Sequence, residues 1–264
     1  MVFGSLARGE QLVGSDQDNG LVIDDRVDAA GRAYFEALGT RISDTLHQAG
    51  FVYCNGGIMA RNADQRLTLG EWQSRYDDWI DNPDEDKILR ATIFFDMRVV
   101  HGRLEVERDL RGYVLEKVAS NRLFLSYLAR DAQRSRIPLG IFRNLVLEKT
   151  ADGTKGFDAK AQAILPLIAI ARTFALSEGI SAVGTLERLA ALAAAGRMAK
   201  GDAESLKDAF LLVNELRIAH QAAQLRRAKA PDNVIDPASL SPLERDYLKD
   251  AFSVIRGGLE SLKR

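Results

Sequence analysis

Cysteine and long apolar runs are scarce in this chain. Cys54 is the only cysteine, so neither an intrachain disulfide nor a cysteine-rich zinc site can form. We find no stretch that approaches the roughly 18 apolar residues needed to span a bilayer, and no basic start followed by an apolar run that is typical of a signal peptide. We therefore expect a cytoplasmic protein without membrane contact.

An excess of charge of either sign is also missing. Lysine and arginine number 36 against 37 aspartate and glutamate, which leaves a formal net charge of -1. Proteins that bind nucleic acid usually carry a basic excess, so we expect no nucleic-acid partner. A composition of 46% hydrophobic and 28% charged residues is typical of a soluble globular protein, and 264 residues suffice for one large or two ordinary domains.

Residues that could carry chemistry are concentrated near the start of the chain. An apolar start runs into the turn Gly4-Ser5, and Asp16 and Asp18 follow ten residues later. Side chains two positions apart on an extended chain point to the same face, so these carboxylates should converge. Converging carboxylates repel unless a cation lies between them, and magnesium suits such a pair because it also accepts water and phosphate oxygens as ligands.

The Gly4-Ser5 turn would supply the phosphate half of the same site. Glycine lets the backbone approach a phosphate closely, and the amides of a turn that opens a helix can donate hydrogen bonds to it, as can the serine hydroxyl. Arg8 has two interpretations, a phosphate contact or an ion pair with Glu10 that fixes the turn. The plain alternative for both motifs is a surface turn and a solvated carboxylate pair. Their order and spacing favour a triphosphate site.

A further carboxylate lies in an apolar run that predicts a strand over residues 91–100. An unpaired buried Asp96 would be costly or would shift its pKa upward, so it needs a partner. On the residues alone two interpretations are open. Asp96 pairs with Arg98 on the same face, or it reaches the metal held by Asp16 and Asp18.

The periodicity changes character along the chain. A strand at the aspartates, an amphipathic helix from Val27 to Leu46 that ends at Gly50, and a strand at 51–53 precede the 91–100 run. From about Leu104 helical periodicity takes over, with helices expected at 158–178, 183–196, 203–228 and 242–262. This pattern predicts an α+β protein with a strand-bearing domain over 1–104 and an all-α helical bundle over 105–264.

Four basic side chains lie on apolar stripes of the predicted bundle: Lys160, Arg172, Arg217 and His220. Long basic side chains often extend past apolar surface to solvent, and a single histidine is usually a satisfied core residue. The alternative is that the group lines the inner face of the bundle and binds the substrate.

The motifs together resemble a known family. Gly4-Ser5, ten residues and Asp16-x-Asp18 resemble the signature of the DNA polymerase beta-like nucleotidyltransferase superfamily. More narrowly, the chain resembles bacterial nucleotidyltransferases of the DUF294 type, which are related to the uridylyltransferase and adenylyltransferase that modify nitrogen-regulatory proteins. The other matching motifs are Gly50-Phe51-x-x-Cys54-x-Gly56-Gly57-x-Met59-Ala60, Ile93-Phe94-Phe95-Asp96-x-Arg98, Phe157-Asp158-x-Lys160, Leu216-Arg217-x-x-His220-Gln221 and Pro231-Asp232-Asn233.

The resemblance implies a small mixed-sheet catalytic domain, short at its N-terminus, followed by a substrate-binding bundle. It selects Asp96 as the third catalytic and metal-site carboxylate, and the three aspartates would hold two magnesium ions roughly 4 Å apart. The implied reaction moves a nucleoside monophosphate from a nucleoside triphosphate to a protein or small-molecule hydroxyl and releases pyrophosphate, in bacterial signalling. A non-catalytic nucleotide-binding regulatory module is the alternative.

The start of the chain is shorter than the resemblance implies. The superfamily places a helix and a full strand before the Gly-Ser turn, whereas only Met1, Val2 and Phe3 precede Gly4, against about five residues in a typical strand. We therefore expect a fragment or an unusually short start. We also expect this chain to lack the cyclic-nucleotide-binding and nucleotide-sensing regulatory domains that commonly come first in the family.

Overall fold

A computed structural model describes residues 1–140, 144–149 and 155–263, and the chain divides into two compact units, Met1–Tyr127 and Leu128–Arg264. Helices and short strands occur in both units, which confirms the α+β class. The domain boundary expected after residue 104 stays a prediction, and residues 105–127 lie within the first compact unit.

The first unit is organised around one extended segment, residues 16–23, with partners on both sides. Its strands are β1 Val2–Phe3, β2 Asp16–Gln17, β3 Leu21–Ile23, β4 Val52–Tyr53, β5 Arg66–Thr68 and β6 Met97–Arg98. β4 pairs with β2 and β5 pairs with β3, both in parallel. On the other side, β1 meets the segment in an antiparallel bridge from Val2 to Asn19 and pairs antiparallel with β6. The unit therefore contains parallel and antiparallel pairs, as a mixed sheet does, but they form three separate two-stranded sheets.

Helices cover and connect these strands. They are α1 Gly4–Arg8, α2 Ala29–Gln48, α3 Leu69–Asp81, α4 Glu85–Ala91 and α5 Tyr113–Ser120, with single turns of other helical types at Ala63–Gln65, Thr92–Phe95 and Glu107–Gly112. The predicted amphipathic helix corresponds to α2. Its buried residues are Gly39 and Ser43. At Gly39 the helix lies so close to Ala60 that a Cβ would overlap the Ala60 carbonyl oxygen.

An aromatic cluster forms the core of the first unit. The ring of Phe3 packs against those of Trp72 and Phe94, with ring centroids 5.7 Å and 4.7 Å away. Trp72 and Tyr76 are fully buried, and each donates a hydrogen bond to a backbone carbonyl, Trp72 to Leu21 and Tyr76 to Phe94. Helix α3, which carries both residues, begins at a capping box formed by Thr68 and Glu71, as its sequence predicts.

The strand predicted over 91–100 is wrong. Helix α4 continues to Ala91, a tight turn covers Thr92–Phe95, and only Met97 and Arg98 form a strand. The apolar run therefore fills the aromatic core from a turn and not from a strand. A continuous apolar run has no period-2 alternation, so its sequence does not distinguish a strand from a helical segment.

The second unit is the predicted helical bundle with one addition. Its helices are α6 Arg122–Gln133, which begins in the first unit, α7 Leu165–Ser177, α8 Thr185–Ala194, α9 Lys200–Arg226 and α10 Pro242–Ser261, with further turns at Lys160–Ile164 and Pro237–Ser239. The expectation of an all-α unit needs correction, because β7 Glu148–Lys149, β8 Lys155–Asp158 and β9 Val234–Ile235 form an antiparallel sheet in the order β7-β8-β9. Phe157 of β8 packs edge-on against Phe252 of α10 in the unit's core.

One helical stretch in the described part of the chain is long and apolar enough to cross a membrane by length and composition alone. It is Lys160–Ser177, of which 61% is buried inside the protein. We did not anticipate it from the sequence, where Lys160 and Arg172 interrupt the run. Such burial is typical of the central helix of a globular domain.

Candidate active site

The turn at Gly4 lies between two segments that carry aspartates. The Phe3 amide donates to the Asp18 carbonyl and the Gly4 amide to the Asp96 carbonyl, both at 2.9 Å. Gly4 has a φ of +54°, and a Cβ there would lie 2.7 Å from Ile93 Cγ1 and 3.4 Å from Asp18 Oδ2. Only glycine therefore allows the chain to turn into α1 this close to the Asp18 carboxylate.

Asp16 and Asp18 converge as the sequence predicts, and Cys54 joins them. Ligand atoms of these three residues, one from each, all lie within 4.8 Å of one another. The parallel register explains the third member: Asp16 pairs with Val52 and Gln17 with Tyr53, so the next position along each strand sets Asp18 beside Cys54. Cys54 follows directly after β4, so the start of the loop after this strand lies at the site.

The Cys54 thiol contacts the pair through a hydrogen bond to Asp18. Cys54 is 8% exposed. Burial, together with the hydrogen bond to the Asp18 carboxylate, raises the pKa of the thiol to about 11. In the absence of a metal the group is therefore a neutral donor near neutral pH.

The alternate residues of the same segment anchor it from the other face. The Gln17 amide nitrogen donates to the carbonyls of Ser43 and Phe51, at 2.9 and 3.1 Å. Asn19 accepts from the Ala60 amide at 2.9 Å and donates to Gln17 at 3.1 Å. Because Gln17 and Asn19 are buried and held by these bonds, the segment is fixed with Asp16 and Asp18 on the opposite face.

Asp96 is fully buried and forms an ion pair with Arg8. Arg8 Nη1 lies 2.5 Å from Asp96 Oδ2, and Arg8 Nε lies 2.7 Å from Glu10 Oε2. Burial lowers the pKa of Arg8, but the charges of Asp96 and Glu10 outweigh this effect and raise it above its ordinary value. The proposed pair between Asp96 and Arg98 does not form, since Arg98 Nε donates to the Ala7 carbonyl at 2.7 Å.

These contacts bear on two of the sequence hypotheses. The ion pair of Arg8 with Glu10 is present, so that interpretation of Arg8 is the one the contacts show. Among the described residues, the group that could hold a metal comprises Asp16, Asp18 and Cys54 and does not include Asp96. The role of Asp96 as a third metal ligand and that of Gly4, Ser5 and Arg8 in nucleotide binding stay predictions.

Two protein families match most of the chain. Residues 1–86 match the family described as "Putative nucleotidyltransferase DUF294", and residues 122–264 match the family described as "Putative nucleotidyltransferase substrate binding domain". The chain belongs to the DUF294 family that these two descriptions name. No curated protein matches it.

The donor set of this chain fits a divalent cation. Asp16 is half-buried and Asp18 is buried, so two carboxylates meet in a partly desolvated place where their charges repel. Carboxylate oxygens are the ligands that magnesium takes in sites that also bind phosphate. The thiol of Cys54 is a softer donor than sequence reasoning expected there.

Arg217 in the substrate-binding part of the nucleotidyltransferase is engaged within the protein. Its Nε and Nη2 donate to Asn233 Oδ1 at 3.1 and 2.9 Å, and its Nη1 donates to Asn214 Oδ1 at 2.8 Å. Burial lowers the pKa of Arg217, and the nearby charge of Asp158 opposes that effect. The side chain thus holds the start of β9 against α9, as a structural residue does.

His220 contacts Asp232, which precedes the Asn233 that Arg217 binds. Its Nε2 lies 2.9 Å from Asp232 Oδ1, which also accepts from the Val234 amide at 2.9 Å. Burial raises the pKa of Asp232, but the hydrogen bonds from His220 and the Val234 amide outweigh it, and the pKa lies below its ordinary value. Three motifs that are far apart in sequence therefore meet here, since the Ala159 amide also donates to the Asn233 carbonyl at 2.9 Å.

The other two predicted substrate-binding residues lie on the stretch that includes α7. Lys160 is exposed at the start of the turn that precedes α7, whereas Arg172 is 8% exposed within the helix. Lys160 is therefore the member of the group that is best placed to meet a substrate, and substrate binding by the four residues stays a prediction.

Proposed function

We propose that this protein is a magnesium-dependent nucleotidyltransferase that moves a nucleoside monophosphate from a nucleoside triphosphate to a hydroxyl group and releases pyrophosphate. The observation that carries the proposal is the convergence of Asp16 and Asp18 next to the Gly4 turn, in a chain whose first 86 residues match the family described as "Putative nucleotidyltransferase DUF294". Magnesium would supply charge neutralisation at the phosphates and activation of the attacking hydroxyl.

The protein's own groups would position the triphosphate. The positive φ of Gly4 turns the chain into α1 close to Asp18, and a phosphate would bind against this stretch of backbone. The Gly4 amide already donates to the Asp96 carbonyl, so the amides that follow it in α1 and the Ser5 hydroxyl would donate hydrogen bonds to phosphate oxygens. Asp16 and Asp18 would hold the cation, and most of the rate enhancement would come from positioning and charge neutralisation.

Asp96 would complete the catalytic group. Arg8 places a positive charge beside its buried carboxylate. Asp96 would contribute a third carboxylate to a site for two magnesium ions and could accept the proton of the attacking hydroxyl.

Acceptor recognition would fall to the substrate-binding part of the chain. Lys160, Arg172, Arg217 and His220 are the proposed contacts, with Arg217 and His220 acting through the loop they anchor. The acceptor would be a protein or a small molecule and not a nucleic acid, because the net charge is close to zero. We place the activity in bacterial signalling in the cytoplasm.

One observation favours a second candidate function. The Asp96 carboxylate is already paired with a buried guanidinium at 2.5 Å, and a carboxylate held in this way is a weak proton acceptor. Under that function the protein binds nucleotide in the presence of magnesium and acts as a regulatory module without transferring the nucleotide.

Nucleotide binding tests both functions at once. ATP or UTP with magnesium should raise the Tm of the wild-type protein, and the increase should vanish in Asp16→Asn and Asp18→Asn. Asp24→Asn provides the matched control, because Asp24 is an aspartate of the same unit that pairs with exposed Arg26. If the Tm of the wild type does not respond to any nucleotide, both functions are wrong.

Transfer distinguishes the two functions. Wild-type protein is incubated with labelled nucleoside triphosphates and a cell extract, and label on proteins and metabolites is measured together with pyrophosphate release. Incorporation that is lost in Asp96→Asn supports the transferase. Nucleotide binding without incorporation supports the regulatory module.

A further inference from the structure

We propose that Cys54 is a third donor of the Asp16–Asp18 site and that the site binds thiophilic divalent cations, of the zinc class, in competition with magnesium. The inference concerns the metal preference of the proposed active site, and it rests on the proposed function only in assuming that the two aspartates hold a cation. Nothing in the nucleotidyl-transfer chemistry itself requires a thiol.

Geometry brings the sulfur to the aspartates and keeps it there. One ligand atom from each of the three side chains lies within 4.8 Å of the others, and the thiol is hydrogen-bonded to Asp18. The β2–β4 register fixes this neighbour relation through backbone pairing, so it does not depend on a flexible side chain. Bonds of about 2.3 Å to sulfur and 2.0–2.2 Å to oxygen hold two ligand atoms of one ion at most about 4.5 Å apart, so at most a side-chain movement of a few tenths of an ångström brings the three atoms onto one ion.

The chemistry of the donor atoms then determines which ion the site binds more tightly because of Cys54. Thiolate is a soft ligand that selects zinc and similar metals, whereas magnesium takes oxygen ligands and water. When a thiophilic ion binds, the metal–sulfur bond replaces the S–H bond and the proton passes to solvent, since a coordinating thiol is deprotonated. The thiolate also exchanges the hydrogen bond to Asp18 for a shared cation.

Competition follows from the shared oxygens. An ion held by Cys54 together with Asp16 and Asp18 uses the carboxylates that magnesium needs for the triphosphate. Binding of such an ion would therefore displace magnesium.

Cadmium is the probe that reports the sulfur directly. Thiolate–cadmium coordination gives an ultraviolet charge-transfer absorbance, and Cys54 is the only cysteine of the chain, so this signal can arise from no other residue. Titration of the metal-free full chain with cadmium should produce the absorbance with a stoichiometry of about one ion per chain. Excess magnesium should reduce it.

Two variants separate the proposed site from a thiol that binds metal alone. Cys54→Ser should abolish the absorbance and weaken cadmium binding, measured by calorimetry, at least about tenfold, while magnesium binding changes little. Asp16→Asn keeps the thiol and should weaken the cadmium signal by a similar factor, whereas the control Asp24→Asn should not. Circular dichroism of each variant verifies the fold.

The outcomes are decisive in both directions. If cadmium gives no absorbance, or if Asp16→Asn leaves the cadmium affinity unchanged, Cys54 is not part of a shared site and the inference is wrong. A failed nucleotide response in the Tm assay alongside an intact cadmium signal would refute the proposed function and leave the metal site standing. The reverse pattern would refute the metal preference alone.

Discussion

Replacing Arg8 with methionine should destabilise the first unit by about 4 kcal/mol, because removal of one partner from a buried ion pair costs about 3–5 kcal/mol. The Arg8 side chain is 6% exposed, its partner Asp96 is fully buried, and Glu10 is 14% exposed. Methionine retains most of the side-chain volume but leaves the buried Asp96 and the half-buried Glu10 without the guanidinium that both contact. We therefore expect a loss near the middle of the range.

A surface pair of similar geometry is the matched control. Arg26 and Asp24 form an ion pair at 2.7 Å, but Arg26 is 90% exposed. Exposed pairs contribute about 0–1 kcal/mol, so Arg26→Met should be nearly neutral. The difference between the two variants measures the effect of burial at equal charge change.

Urea unfolding followed by tryptophan fluorescence measures the effect in the correct unit, since both tryptophans, Trp72 and Trp79, lie within Met1–Tyr127. The free energy is obtained by linear extrapolation, with the slope compared between variants. The double variant Arg8→Met with Asp96→Leu should recover much of the loss, because apolar replacement of a buried pair is often neutral. The reasoning is refuted if Arg8→Met costs no more than Arg26→Met.

Two further predictions concern packing and pH. Gly39→Ala should destabilise the first unit by about 1–3 kcal/mol, because its Cβ would overlap the Ala60 carbonyl. In α9, a Cβ on Gly201 would meet no atom within 4 Å. Gly201→Ala should therefore stabilise the second unit by roughly 0.5–1 kcal/mol in urea unfolding. The pKa of Glu71 is lowered because its carboxylate accepts the Thr68 amide, so its stabilisation is complete above its usual pKa of 4.5 and is lost as the pH falls through the lowered value. Glu71→Gln should flatten this acid branch in urea unfolding measured against pH.

Local patterns were enough to predict the helices and the aspartate pair. The period of 3.6 residues is a property of neighbouring residues, so α10 begins at Pro242, where the sequence predicts it. Asp16 and Asp18 converge for the same reason, because the alternation of an extended chain depends on the backbone alone.

Contacts between distant parts of the chain could not be predicted in this way. Arg8 and Asp96 are 88 positions apart, and no periodicity within either segment indicates the other. The same-face argument for Asp96 and Arg98 failed because Asp96 ends a tight turn and the strand starts only at Met97. Cys54 required the register between β2 and β4, which is a tertiary property. The only indication of Cys54 in the sequence was its position directly after the strand predicted at 51–53.

Helix α1 links the two halves of the candidate site. It starts at Gly4, whose amide donates to the Asp96 carbonyl, and ends at Arg8, whose guanidinium pairs with the Asp96 carboxylate. One main-chain and one side-chain contact of Asp96 therefore involve the same five-residue helix. If a phosphate binds at the Gly4 turn as we propose, a displacement of α1 would shift Arg8 as well, and with it the carboxylate that Arg8 holds. The position of the Asp96 carboxylate would then be coupled to phosphate binding at Gly4, although the residues are remote in sequence.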